Sequence, residues 1–66
     1  MIIVKKIDNV DVDTVSIQVY ADNLSELGST IPGVSSDKQI QAGSLAYDSN
    51  GNVAIYNSSN TWVTVQ

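Results

Sequence analysis

Residues 47–62, with the sequence YDSNGNVAIYNSSNTW, decide the fold that this chain is expected to adopt. Asn50-Gly51 is the strongest hairpin signal, because Asn and Gly both tolerate the positive φ values of a type I′ turn. A second cluster of turn-forming residues follows at 57–60. Strands are therefore expected before, between and after the two turns, over 44–47, 52–56 and 61–65. The segment predicts a three-stranded antiparallel meander.

The aromatic side chains of this meander allow two interpretations. Tyr47, Tyr56 and Trp62 flank the two turns, and alternation along the second strand places Tyr56 on the same face as Ala54. In a small meander such residues form the core or its rim, with the phenol hydroxyl and the indole N–H at the edge. The neighbouring Asn and Ser residues leave a second hypothesis open, in which the aromatic rings form a platform on which a sugar stacks.

The N-terminal half of the chain adds two strands. Ile2–Ile7 is β-branched apart from two lysines, which commonly protect the edge of a sheet. Thr14–Tyr20 alternates between apolar and polar residues, and the phase of the alternation changes at Thr14, as it does at a β-bulge or a tight turn. Asp8-Asn9 is the expected turn between the two strands.

A helical turn and a loop separate the two halves. Asp22 can cap such a turn and Gly28 can end it, with Leu24 and Leu27 on one side. Residues 29–36 contain a Pro-Gly pair and a Ser-Ser pair, which indicate a loop.

Length and composition limit the stability of this fold. We expect one domain over residues 1–66 that is mainly β, a small antiparallel meander with one short helical turn. A chain of this size buries about 60% of its unfolded surface, so its margin of stability is thin. The sequence has no Cys and no His, so neither disulfides nor a soft-metal site can support it, and no cofactor is expected. Oligomerisation or docking on a larger assembly is the support that remains.

Charge and chemistry argue against several functional classes. The chain has three Lys, no Arg and seven acidic residues, which gives a net charge of −4. A nucleic-acid-binding protein needs a basic stripe, so nucleic acid is not an expected partner. No run approaches the ~20 apolar residues of a membrane span. Without His, Cys or a Gly-rich phosphate loop, an enzyme is not expected.

Two acidic segments could bind a cation, but each has a simpler interpretation. Residues 48–52 carry Gly at the fourth position, whereas an EF-hand loop requires it at the sixth, and the hairpin explains the same residues. Asp8, Asp11 and Asp13 are typical of a solvated surface. No metal site is predicted.

The segments GSLAY (43–47), NVAIYN (52–57) and TWV (61–63) together resemble a pattern of small structural proteins of tailed bacteriophages and prophages. Upstream, YAD (20–22) and LSEL (24–27) resemble the segment that often precedes this pattern. That segment usually ends in Leu-Pro, whereas Leu27 is followed by Gly28 here. The resemblance covers residues 17–65. It implies a virion component of the head, neck or tail, made in the bacterial cytoplasm and present in many copies, and it implies no catalytic residues.

The expected function is that of a non-enzymatic structural or interaction module of a phage or prophage virion, acting as a homo-oligomer or docked on a larger virion assembly. The first two strands are expected to meet a neighbour, because unpaired edges offer N–H and C=O groups. Their candidate interface residues are Ile2, Ile3, Val4, Val15, Ile17 and Val19. Two alternatives stay open: a small carbohydrate-binding or adhesion module, and a regulatory protein that binds one host protein.

Overall fold

The computed structural model describes residues 1–28 and 30–66, and one six-stranded β-sheet dominates it. The strands are β1 (Ile2–Asn9), β2 (Thr14–Ala21), β3 (Gln39–Ile40), β4 (Leu45–Tyr47), β5 (Val53–Tyr56) and β6 (Trp62–Thr64). The one helical element among the described residues is a 3₁₀ turn, Leu24–Glu26. The prediction of a mainly β fold with one short helical turn is confirmed.

The sheet is mixed, with the strand order β1-β2-β4-β5-β6 and with β3 also paired to β2. The antiparallel set β4-β5-β6 is the predicted meander. β2 runs parallel to both β3 and β4, whereas an antiparallel sheet was expected. Parallel neighbours need a crossover connection, and residues 22–38 provide it between β2 and β3.

The turn between β1 and β2 lies later than expected. β1 continues through Asn9, and the backbone amides of Val10 and Asp11 donate to the carbonyl oxygen of Thr14 at 2.9 and 3.3 Å. The expected turn at Asp8-Asn9 is therefore wrong, because both residues pair with β2. The phase change at Thr14 reflects this tight turn, while the β-bulge lies in β1, between Val4 and Lys6.

The core lies on one side of the sheet. Val15, Ile17, Val19 and Ala21 alternate along β2 and are all buried, as the period of a strand requires. Ile31 of the crossover is 1% exposed and packs on them. The crossover covers this side, and the remaining core residues, from β3, β4 and β5, are Ile40, Ala46, Ala54 and Tyr56.

The helical turn forms inside the predicted segment but with different ends. Asn23 caps it in place of the expected Asp22: its side chain accepts from the amide of Ser25, and Glu26 accepts from the amide of Asn23. The turn ends at Leu27 and not at Gly28. Leu24 and Leu27 both pack against the core, as their spacing predicted. In the loop predicted over 29–36, Ser29 lies outside the described residues, and 30–36 contain no helix or strand.

Ser44 lies between the end of β3 and the start of β4, and its side chain takes the place of a strand partner for β2. Its buried hydroxyl accepts from the amide of Ile17 at 3.1 Å and donates to the carbonyl oxygen of Gln41 at 2.8 Å. Gly43 before it adopts a φ of 98°, a conformation that favours glycine. The Gly-Ser pair thus joins the parallel half of the sheet to the meander.

Candidate functional site

The side of the sheet opposite the core carries an apolar surface, which we call the open face. The strand register aligns Ile3, Tyr20, Tyr47 and Val53 in one row across β1, β2, β4 and β5. A second row aligns Gln18, Leu45, Ile55 and Val63 across β2, β4, β5 and β6. Val65 extends the first row, since its amide donates to the carbonyl oxygen of Val53 at 2.8 Å. The two rows place eight apolar side chains on one face.

Much of the open face is accessible to solvent. The exposed fraction is 38% for Leu45, 39% for Tyr47, 45% for Val63 and 56% for Val65. Small soluble proteins rarely expose large contiguous apolar patches, and such patches commonly mark interaction surfaces. The open face is therefore the first candidate functional site of the molecule.

Charges on the open face are few and paired. Its strand positions in β1 include Lys6 and Asp8, whose Nζ and Oδ2 atoms lie 3.7 Å apart. At one end, the hydroxyl of Tyr20 donates to Asp22 at 3.2 Å. The hydrogen bond from the α-ammonium group of Met1, together with that from Tyr20, holds the pKa of Asp22 below its usual value. The centre of the face carries no charged side chain among the described residues.

The predicted aromatic group divides between the two sides of the sheet. Tyr56 is buried in the core and packs edge-on against the half-buried Trp62, with ring centroids 4.9 Å apart. Tyr47 points to the open face, where its ring lies 5.7 Å from that of Tyr20. The structure thus brings Tyr56 and Trp62 together as core and rim and separates Tyr47 from them.

The predicted turn at Asn50-Gly51 forms, but its type differs from the expected type I′. Gly51 has a φ of 83°, whereas Asn50 has a negative φ. The amide of Gly51 donates to the carbonyl oxygen of Asp48 at 3.4 Å, and the amide of Asp48 donates to that of Asn52 at 3.1 Å. This is a three-residue loop, a type I turn followed by a left-handed residue. The prediction of two positive φ values is wrong.

Asp48 determines the geometry of this loop. One carboxylate oxygen accepts from the amides of Asn50 and Asn52 at 2.9 and 3.0 Å, and the other accepts from the Asn52 side chain at 2.9 Å. The Asn52 side chain, followed by the backbone amides of Asn52 and Asn50, lowers the pKa of Asp48, against the opposing effect of its burial. The loop holds the carboxylate in its charged form.

The second turn repeats the first one. Asn57 accepts from the amides of Ser59 and Thr61 and from the Thr61 hydroxyl, at 3.0 to 3.1 Å. Asn60, with a φ of 63°, takes the left-handed position that Gly51 takes in the first loop. The local signal for both loops is an Asp or Asn that lies four residues before an Asn or Thr.

A cleft on the core side of the sheet separates the helical turn from β5 and β6. Its volume is about 780 Å³, and its walls include Asn23 and Leu24 on one side and Asn52, Trp62 and Thr64 on the other. The indole Nε1 of Trp62 donates to the carbonyl oxygen of Gly28 at 3.0 Å, which fixes the ring at the edge of the cleft.

The candidate interface residues separate into two groups. β1 is an edge strand, as expected for Ile2, Ile3 and Val4, and Ile3 lies on the open face. Val15, Ile17 and Val19 are 3%, 1% and 0% exposed and belong to the core. β2 pairs with β1 on one side and with β3 and β4 on the other, so the expectation that its edge is unpaired is wrong.

Six of the apolar residues on the open face were not predicted from the sequence as surface candidates: Tyr20, Leu45, Val53, Ile55, Val63 and Val65. The signal was present, since β4 and β5 read Leu-Ala-Tyr and Val-Ala-Ile-Tyr and are apolar on both faces. A strand that is apolar on both faces is expected to be covered on both.

No cluster of three or more metal-ligating side chains occurs in the described part of the chain. Asp11 of the acidic segment instead accepts from the amide of Asp13 at 3.0 Å, within the turn that follows β1. Over residues 1–28 and 30–66, no helix has the length and apolar character needed to cross a bilayer. Comparison of the chain with protein-family models, with curated proteins and with solved structures finds no match.

Proposed function

We propose that this chain is a non-enzymatic assembly module that pairs with a second copy of itself through the open face. The observation that carries the proposal is the row arrangement of eight apolar side chains on the uncovered side of the sheet. Two such faces would pack as a sandwich, with the sheets about 10 Å apart. Each sheet would then be covered on both sides.

The dimensions of the face suit such a pair. The molecule measures 34 × 21 × 16 Å, so its largest cross-section, roughly 700 Å², sets an upper limit on the area of the open face. Stable interfaces bury about 800 Å² per partner. A face of this size contacts one partner of similar size, and a second copy supplies a matching surface through two-fold symmetry.

The charge distribution favours a second copy over an oppositely charged partner. The chain carries a net charge of −4, yet the centre of the open face is uncharged among the described residues. Burying it therefore desolvates no isolated ion, which would cost several kcal/mol. Of the charged groups beside the face, Lys6 and Asp8 lie on the edge strand β1 and Asp22 follows β2, so they remain at its rim.

The resemblance to small structural proteins of tailed phages supports a place for this assembly in a phage or prophage virion. A virion component present in many copies needs surfaces that repeat the same contact, and the open face can supply one. We propose that the dimer, or a larger assembly built from it, is a part of such a particle.

Light scattering across a dilution series tests the proposal. We expect a mass of two chains, each of 7.0 kDa, that falls toward one on dilution. Leu45→Asp places a charge at the centre of the open face and should give a monomer at every accessible concentration. Val12→Asp is the matched control, because Val12 is 87% exposed in the turn after β1 and lies away from the open face.

The proposal fails if the wild type is monomeric throughout. It also fails if Leu45→Asp and Val12→Asp give the same mass as the wild type while circular dichroism shows both variants folded. A loss of mass by Leu45→Asp alone supports the open face as the interface.

A further inference from the structure

We infer that the cleft between the helical turn and β5-β6 binds a neutral oligosaccharide. The cleft lies on the core side of the sheet, so the site is separate from the open face. Its volume of about 780 Å³ lies within the range of ligand-binding pockets, roughly 300–1,000 Å³. The inference rests on three features of the walls: an oriented indole, complementary amides and the absence of cationic side chains.

Trp62 supplies an apolar surface of fixed orientation. Its ring packs edge-on against Tyr56, and its Nε1 donates to the carbonyl oxygen of Gly28, so two contacts hold it before a ligand arrives. The ring is half-buried and lines the cleft. Sugars present C–H groups on one face of each ring, and an aromatic ring covers that face without charge.

Two amide side chains, those of Asn23 and Asn52, line the cleft, and one keeps a donor while the other keeps an acceptor for a ligand. The Oδ1 atom of Asn23 accepts from the amide of Ser25, which leaves its NH₂ group as a donor. The Nδ2 atom of Asn52 donates to Asp48, which leaves its Oδ1 atom as an acceptor. A donor on one wall and an acceptor on the other match a hydroxyl-rich ligand, since each hydroxyl both donates and accepts.

The charge of the walls excludes an ionic ligand. Among the described lining residues no side chain is cationic, and the one carboxylate, that of Asp48, already accepts three hydrogen bonds. An anionic sugar would find no cation, and a cationic ligand would compete with the loop for Asp48. A neutral oligosaccharide fits the indole, the amides and the hydroxyl of Thr64 together.

Titration of the wild-type chain with cellotetraose, maltotetraose and N-acetylchitotetraose tests the inference. Trp62 is the one tryptophan, so its fluorescence reports on the cleft directly. We expect at least one of these sugars to give a saturable change below about 10 mM. Backbone and side-chain amide NMR shifts should be confined to the cleft, including the Trp62 indole and the amides of Asn23 and Asn52.

Two variants and a control localise the effect. Trp62→Phe keeps a ring against Tyr56 but offers a smaller aromatic surface to the sugar. It should therefore weaken binding roughly tenfold. Thr64→Val removes an exposed hydroxyl without changing the shape of the side chain, and should weaken binding about fivefold while the chain stays folded. Val63→Ala, on the opposite face of the same strand, should leave the affinity unchanged.

Three outcomes overturn the inference. In the first, none of the three sugars gives a saturable change below about 10 mM. In the second, the NMR shifts map to the open face. In the third, the anionic tri-galacturonate or a capped Gly-Ser tetrapeptide produces the same shifts at the same concentration. Saturable shifts in the cleft from a neutral sugar alone support it.

Discussion

Truncation of Leu45 gives a quantitative test of the open face. Leu45 keeps 38% of its surface exposed, and full burial of a leucine is worth about 2 kcal/mol, so covering the exposed part contributes roughly 0.8 kcal/mol. A two-fold interface contains the residue twice. Leu45→Ala should therefore weaken the dimer by roughly 1.5 kcal/mol, about tenfold in Kd.

Sedimentation equilibrium at several loading concentrations measures this change. Val12→Ala is the control, since Val12 is 87% exposed and outside the open face, and its Kd should equal that of the wild type. If wild type and Leu45→Ala form dimers with the same Kd, the interface lies elsewhere and the assignment to the open face is refuted. If Val12→Ala weakens the dimer equally, the effect is one of general surface hydrophobicity.

Three further predictions concern the fold and its loops. Ser44→Ala leaves the buried amide of Ile17 without a partner and should cost about 1–3 kcal/mol of unfolding free energy in urea, whereas Ser36→Ala, at an exposed loop position, should cost less than about 0.5 kcal/mol. Gly51→Ala should lower the free energy of unfolding by about 1 kcal/mol, because the φ of Gly51 is 83°, while Asn50→Ala should change it little. Equal losses for the two variants would indicate a type I′ turn instead. The folded pKa of Asp48 lies below its ordinary 3.8, so its stabilisation is complete above about pH 3.8 and is lost as the pH falls further. Asp48→Asn should therefore flatten the fall of Tm below pH 4, and parallel Tm curves would contradict this.

The sequence predicted the meander well because its signals are local. Turn-forming residues at 48–52 and 57–61 and strand-forming residues between them act within a few positions of each other. The turn type was not predictable from Asn50-Gly51 alone. Asp48 changes the outcome, because its carboxylate accepts from the amides two and four residues later and favours a three-residue loop.

The parallel pairing of β2 with β4 has no comparable local signal. It depends on the crossover at 22–38, where Ile31 enters the core from a segment with the composition of a loop. The buried strand β2 alternates clearly, and yet its alternation cannot reveal whether its edges are paired. The same limit explains why Val15, Ile17 and Val19 were expected at an interface: β-branched residues are typical of both a core and a covered edge.

The two proposed sites lie on opposite sides of one sheet, and this arrangement makes their effects separable. A dimer joined through the open faces would carry its two clefts on opposite outer surfaces, so within a polysaccharide gel each cleft could bind a different chain. Two linked sites bind such a matrix more tightly than one, by about 10²–10⁴-fold when the spacing of the chains permits. Leu45→Asp should therefore leave the affinity for a soluble tetrasaccharide unchanged and should reduce retention on the corresponding polysaccharide, measured by affinity electrophoresis. If the variant loses affinity for the soluble sugar as well, the cleft depends on the dimer, and the separation of the two sites is wrong.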